Sequence, residues 1–187
     1  MMRPSPILVA MVLLAAPDAA LADTPLAQLK AAMAERLAAM PDVARHKWNS
    51  GAAVEDLAQE ARVVDGAVAA GAELGLVPDV VRSVAVAQIE AAKLVQSSLI
   101  EQWRAEAAAE FTDVPDLATV LRPAIGSATQ AIVGNLKQAE PALQECPGAS
   151  ELRAVPQTLV SYEPAWQVAA DGVIAAVGGP ARTACPG

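Results

Sequence analysis

Two cations eleven residues apart, Arg36 and Lys47, are followed by Asp56 and Glu60 and, much later, by Gln96. These residue types grip and polarise an oxygen-rich anion rather than attack a bond. A planar guanidinium meets a carboxylate with two parallel hydrogen bonds. An ammonium and a side-chain amide can donate to an oxygen that gains charge during a reaction. Taken singly, Arg36, Lys47 and Glu60 read as solvated helix-face charges, and Gln96 as a satisfied polar group between helices. Only their joint spacing gives them a functional meaning.

Other chemistries find little support. One histidine, His46, and two cysteines do not make a zinc site of the usual kind. No glycine-rich phosphate loop and no G-x-S-x-G elbow occurs. Trp48, Trp103 and Trp166 read as packing residues. Any catalysis should rest on placed charges and hydrogen bonds, with no cofactor and no metal.

The elements that must hold these residues are helical. Alanine-rich stretches cut by isolated Pro and Gly predict helices with short connections. The first opens near Asp23-Thr24-Pro25 and runs toward Met40, where Pro41-Asp42 interrupts it. A short helical piece, Val43 to Trp48, and a turn at Asn49-Ser50-Gly51 follow. A helix from about Val54 to Leu74 buries the stripe Val54, Leu57, Ala61, Val64 and Val68, with Gly75 as its stop. The stretch from about Val80 to Glu110 is apolar nearly all round at first, which marks a central helix. Gln88, Lys93 and Gln96 on it then need partners. After a linker at Val114-Pro115-Asp116, a helix spans about Leu117 to Lys137, bent near Pro123. Short elements fill Pro141 to Pro156, and a last helix covers about Pro164 to Val177.

The run from Glu35 through Asn49 (Glu35-Arg36-Leu37-Ala38-Ala39-Met40-Pro41-Asp42-Val43-Ala44-Arg45-His46-Lys47-Trp48-Asn49) closely resembles the secreted subclass of the all-helical chorismate mutases. Val54-Glu55-Asp56, Glu60-Ala61 and the run Ala87 to Gln96 continue the pattern at the family's separations. Detailed similarity covers about Leu26 to Arg104. The resemblance implies an all-α bundle that rearranges chorismate to prephenate, and a homodimer. It implies that Arg36 holds a substrate carboxylate and that Lys47 contacts a carboxylate and the ether oxygen. Gln96 would donate to that same oxygen, Glu60 would bind the ring hydroxyl, and Asp56 would sit at the rim.

Three positions depart from the family pattern. Gln59 stands where an arginine is usual, and Ala92 where a short polar residue is usual. Thr129-Gln130-Ala131 lacks the arginine that the secreted subclass sends in from its second half. The expectation is weaker substrate binding than in typical relatives. Arg62 is the nearest cation to Gln59, but at 100° per residue it lies about 160° around the helix from Glu60 and is expected to point away. Lys93, Arg122 and Lys137 are the other candidate replacements.

Three segments are expected: a signal peptide at 1–22, a catalytic helical domain at 23–112, and a helical extension at 113–187 packed on it. Arg3, the apolar run Ile7 to Ala16 and the small-x-small triplet Ala20-Leu21-Ala22 form an export signal cut after Ala22, so the protein should be periplasmic or secreted. Cys146 and Cys185, an even pair in an exported chain, are expected to form a disulfide. The net charge is −8, and without basic clusters this argues against nucleic acid and against an anionic membrane as partners. Two rival readings stay open: an isochorismate lyase on a related scaffold, and a non-catalytic exported bundle that binds an aromatic metabolite.

Overall fold

A computed structural model describes residues 24–185. The expected signal peptide lies outside these residues. Seven α-helices carry the fold: α1 (Pro25–Ala38), α2 (Met40–Ser50), α3 (Leu57–Glu73), α4 (Pro78–Ala105), α5 (Arg122–Leu143), α6 (Cys146–Arg153) and α7 (Glu163–Ala176). One π-helical turn, Leu117–Leu121, leads into α5, and short 3-10 turns flank α7. No strand occurs among the described residues. No helix there is long and apolar enough to cross a membrane.

Local chemistry sets the helix ends. Thr24 caps α1, its hydroxyl accepting from the Ala27 N–H at 3.1 Å. The break before α2 falls at Ala39, and α2 already begins at Met40. Pro41 therefore opens a helix rather than interrupting one, because first-turn N–H groups have no acceptor within the helix. Gly51 ends α2 at φ 68°, a left-handed geometry that glycine adopts without strain. The start of α3 falls three residues later than the expected Val54. Asp56 Oδ1 accepts from the Gln59 N–H at 3.0 Å, and Glu60 Oε1 accepts from the Asp56 N–H at 3.2 Å. This reciprocal cap fixes the first turn. Leu57 does not join the buried stripe and is 68% exposed; Val64, Ala67 and Gly71 make the buried face instead.

Helix α4 ends at Ala105, short of the expected Glu110. Ala107, at φ 49°, turns the chain away. Asn49 then clamps the linker: its Nδ2 donates to Phe111 O at 2.8 Å and its Oδ1 accepts from the Phe111 N–H at 2.9 Å. Phe111 packs at a tilt against Trp103, which meets Trp48 edge-on. Asp116 caps the π turn through the N–H groups of Ala118 and Thr119. Helix α5 runs on to Leu143, past the expected Lys137, with Pro123 in its first turn.

The packing puts α4 at the centre, against α2, α3 and α7, while α1 lies along α5. One continuous apolar core includes Leu29, Met33 and Leu37 of α1, Val84 and Ile89 of α4, Leu136 of α5 and Trp166 of α7. Helix α7 sits so close to α4 that a Cβ on Gly172 would collide with Ala87. Trp166 is fully buried, and its indole N–H donates to Leu152 O at 3.0 Å. A disulfide joins Cys146 to Cys185, with Cα atoms 5.3 Å apart.

Candidate active site

A cavity of about 340 Å³ opens between α1, α2, α3, α4 and the start of α5. All seven positions singled out in the sequence, Arg36, Lys47, Asp56, Gln59, Glu60, Ala92 and Gln96, line it. Three further cations, Arg62, Lys93 and Arg122, join them. Five cationic and two acidic side chains thus face one small-molecule-sized cleft in a protein of net charge −8. The cleft is a local anion trap.

Arg36 projects from the last turn of α1 and is 4% exposed. Its Nη1 donates to the backbone carbonyl of Gln88 at 2.6 Å, and its Nε to Thr129 Oγ1 at 3.3 Å. The Thr129 hydroxyl donates its own proton to Ile125 O at 2.8 Å, which leaves a lone pair for Arg36. No carboxylate neutralises this guanidinium among the described residues. Burial lowers its pKa to about 10. A buried, uncompensated guanidinium is costly, and a bound anion would relieve that cost.

Lys47, on the last turn of α2, is half-buried, and its Nζ donates to Val54 O at 2.6 Å. Burial, foremost, pulls its pKa below the ordinary lysine value. Asp56 and Glu60 oppose that shift, and Arg122 adds to it. Glu60 is itself held in place. Lys93 Nζ lies 3.4 Å from Glu60 Oε2 and 2.7 Å from Glu90 Oε1, and Lys93's pKa is raised, first by the Glu90 bond. Lys93 is therefore committed to two carboxylates.

Gln96 is buried, with Nε2 donating to Ala92 O at 3.2 Å and lying 3.5 Å from Met40 Sδ. Its Oε1 is buried without a partner, a state that costs roughly 1–3 kcal/mol unless something fills it.

The structure places Arg62 differently from the sequence expectation. Its Nε and Nη2 donate to Gln59 Oε1 at 3.2 and 2.9 Å, and the residue lines the cavity. The angle to Glu60 was the wrong guide. Residues three apart lie about 60° apart on a helix and touch, so a long side chain folds back over Gln59. Arg122 reaches the cavity from the first turn of α5. Lys137 does not line it and donates instead to Leu74 O at 3.1 Å. Thr129 was visible in the sequence only as the place of a missing arginine, and nothing there announced it as Arg36's partner.

Among the described residues no three His, Cys, Asp or Glu side chains are grouped to hold a metal ion. What the lining can do is fix a small polyanion and donate hydrogen bonds into a half-open cleft.

Comparison with known proteins agrees with this chemistry. The family described as chorismate mutase type II matches residues 27–97. A secreted chorismate mutase of Yersinia pestis is 39% identical over 69 residues, 37% of this chain and 37% of that protein. A secreted chorismate mutase of Mycolicibacterium smegmatis is 32% identical over 94 residues, 50% of this chain and 52% of that protein. The chain thus spans about half or less of the length of these curated relatives. Similarity to solved structures reaches further. The chorismate mutase of Burkholderia phymatum superposes with a TM-score of 0.71 at 29% identity, over 82% of this chain and 95% of that one. That of Burkholderia thailandensis gives 0.67 at 29% identity, over 83% and 99%.

Proposed function

We propose that this chain, whose residues 27–97 match the chorismate mutase type II family, converts chorismate to prephenate. The observation that carries the reading is the buried Arg36 without a carboxylate partner, facing one cavity with Lys47 and Gln96.

The rearrangement is unimolecular. The bond between the ring and the ether oxygen breaks while the side-chain methylene joins the ring, and no proton, hydride or nucleophile is exchanged. The protein has two tasks. It must fold a flexible dianion into a compact chair, which is a positioning problem. It must also stabilise negative charge that grows on the ether oxygen, which fixed donors in a dry site do well.

Arg36 suits the first task, because its guanidinium is already anchored through Nη1 and Nε. Its Nη2 makes no hydrogen bond among the described residues and remains for a substrate carboxylate. Lys47 suits the second, with its proton on a half-buried nitrogen. Gln96 joins it through Nε2, which keeps one N–H on Ala92 O and gives up its weak contact with Met40 Sδ. The freed N–H donates to the ether oxygen, a bond that strengthens as charge develops. Glu60, fixed by Lys93 and by the Asp56 N–H, is the group we assign to accept from the ring hydroxyl. Asp56 stays at the rim, capping α3. Residues 23–112 supply most of the site, and the packed extension from 113 onward closes it through Arg122 and Thr129.

The export reading rests on the N-terminal signal pattern and on relatives that bear the word secreted; the periplasm is the compartment we favour. The homodimer rests on the family resemblance. Every residue used above comes from one chain.

The test is loss of chorismate absorbance with mature protein starting at Asp23, with the product identified as prephenate. Lys47→Ala should lower kcat by roughly 10²–10³-fold, the usual effect of losing one such donor. A folded wild type that binds an aromatic dicarboxylate but does not turn chorismate over would replace this reading with the binding-protein one.

A further inference from the structure

The pattern at Gln59 and Arg62 carries a meaning beyond the reading above, on which it rests. Position 59 lines the cavity yet holds no charge, and Arg62 stands one helical turn later on the same rim. Gln59 Oε1 accepts from both Nε and Nη2 of Arg62, at 3.2 and 2.9 Å. That fork fixes the plane of the guanidinium and leaves Nη1 without a hydrogen bond among the described residues. Arg62 has no salt bridge there either. It is the only one of the five lining cations whose guanidinium or ammonium is held by a neutral side-chain amide.

The other cations are differently placed. Arg36 is anchored at the deep end, on α1 and α4. Lys93 is bound to Glu60 and Glu90, Lys47 donates to Val54 O, and Arg122 approaches from α5 beside Lys47 with no side chain to orient it among the described residues. A dianionic ligand with one carboxylate at Arg36 therefore needs a second cation nearer the mouth. Arg62 is exposed and oriented there, and it has lost none of its charge to a partner.

We propose that Arg62 binds the second, rim-side carboxylate of the substrate, and that Gln59 is the residue that positions it. The arginine missing from position 59 is thus displaced by one turn rather than lost. A glutamine is the right chemistry for this. A carboxylate at 59 would neutralise Arg62, whereas an amide oxygen orients it and leaves its full charge for the ligand.

The experiment measures chorismate kinetics and, separately, calorimetric binding of an oxabicyclic dicarboxylate that mimics the chair-shaped transition state. The variants are Arg62→Ala, Arg62→Lys, Gln59→Ala and the Gln59→Ala/Arg62→Ala double. Arg62→Ala should raise KM and weaken analogue binding roughly 10–100-fold, the value of a charge-assisted hydrogen bond. Its kcat should change by no more than about twofold, because a rim carboxylate is held equally in ground and transition states. Arg62→Lys should recover part of the loss. Gln59→Ala should weaken binding by itself but add nothing once Arg62 is gone. Wild-type turnover with KM and analogue affinity unchanged in Arg62→Ala overturns the proposal. An equal effect of Gln59→Ala in both backgrounds overturns the positioning role. If chorismate is not turned over but analogue binding still depends on Arg62, the catalytic reading fails and this inference stands. An analogue that does not bind the wild type sinks both.

Discussion

Arg36 Nη1 lies 2.6 Å from the backbone carbonyl of Gln88, a bond that ties the last turn of α1 to the middle of α4. The carbonyl belongs to a helix and is a neutral partner for a buried charge. Gln88's own side chain points elsewhere, its Nε2 3.5 Å from Ala169 O on α7. The guanidinium is thus oriented by dipoles and left electrically unsatisfied, a state that makes sense only with an anion beside it.

A trade between stability and function follows. Burial holds the folded-state pKa of Arg36 at about 10, below its ordinary value. The unfolded chain therefore binds this proton more tightly than the folded one. The cost to stability is fully present below about pH 10 and disappears as pH rises further toward the unfolded value. Arg36→Met keeps the bulk and removes the charge. It should raise stability at pH 7 by about 1–3 kcal/mol, by analogy with buried charges replaced by apolar groups. It should also lower kcat/KM for chorismate by roughly 10²-fold, since the charge-assisted bond from Nη2 to a substrate carboxylate is lost. Urea unfolding and steady-state kinetics on the same preparation decide this. A variant less stable than wild type would mean that the bonds to Gln88 and Thr129 outweigh the buried charge.

The disulfide acts on a different part of the energy. Cys146 opens α6 and Cys185 lies near the chain end, 39 residues on. Neither lines the cavity. Closing a loop of that length restricts the unfolded chain and should stabilise the fold by about 4 kcal/mol. Cys146→Ser/Cys185→Ser should therefore melt roughly 8–16 °C lower, from the usual 2–4 °C per kcal/mol at this size. Its kcat and KM at 25 °C should stay within about twofold of wild type. A large loss of activity at a temperature where the variant is still folded would show that the tether shapes the site.

The sequence made helix identity and the site's membership legible, because both are written in local spacing. Pro41, Gly51, Gly75 and Pro78 all sit at helix ends. The seven singled-out positions meet in one cleft because three are on α3 and its cap, two on α4, and Arg36 and Lys47 on the consecutive helices α1 and α2. What stayed hidden depends on the folded arrangement. Leu57 fits a buried stripe by period, yet it sits in the first turn of α3, ahead of the part whose Val64, Ala67 and Gly71 pack, and stays exposed. Arg62 was judged by where its Cα points, whereas its guanidinium follows a hydrogen bond to Gln59. Arg122 comes from α5, 75 positions beyond Lys47 in the chain, and meets it only through the packing of α5 on the other helices. Long-range juxtapositions of this kind have no sequence period.

The pH dependence of catalysis should report Lys47. Burial lowers its pKa, Asp56 and Glu60 raise it, and Arg122 lowers it further. In the proposed mechanism only the protonated amine carries the charge offered to the ether oxygen. The value of kcat/KM should therefore fall as pH rises through the Lys47 pKa of the free enzyme, at a pH below the ordinary lysine range. Bound substrate brings two carboxylates close to this amine and favours its charged form. The alkaline limb of kcat should accordingly lie at higher pH than that of kcat/KM. Asp56→Asn separates this cause from a general loss of structure. Asparagine caps a helix about as well as aspartate, so α3 should keep its start, but the negative charge that supports Lys47 is gone. The alkaline limb of kcat/KM should then move to lower pH. The check is a pair of pH–rate profiles between pH 6 and about 10 at constant ionic strength, with circular dichroism at each pH to show that the helices persist. A limb that stays in place in Asp56→Asn, or that lies in the ordinary lysine range in the wild type, would mean that a group other than Lys47 controls the rate.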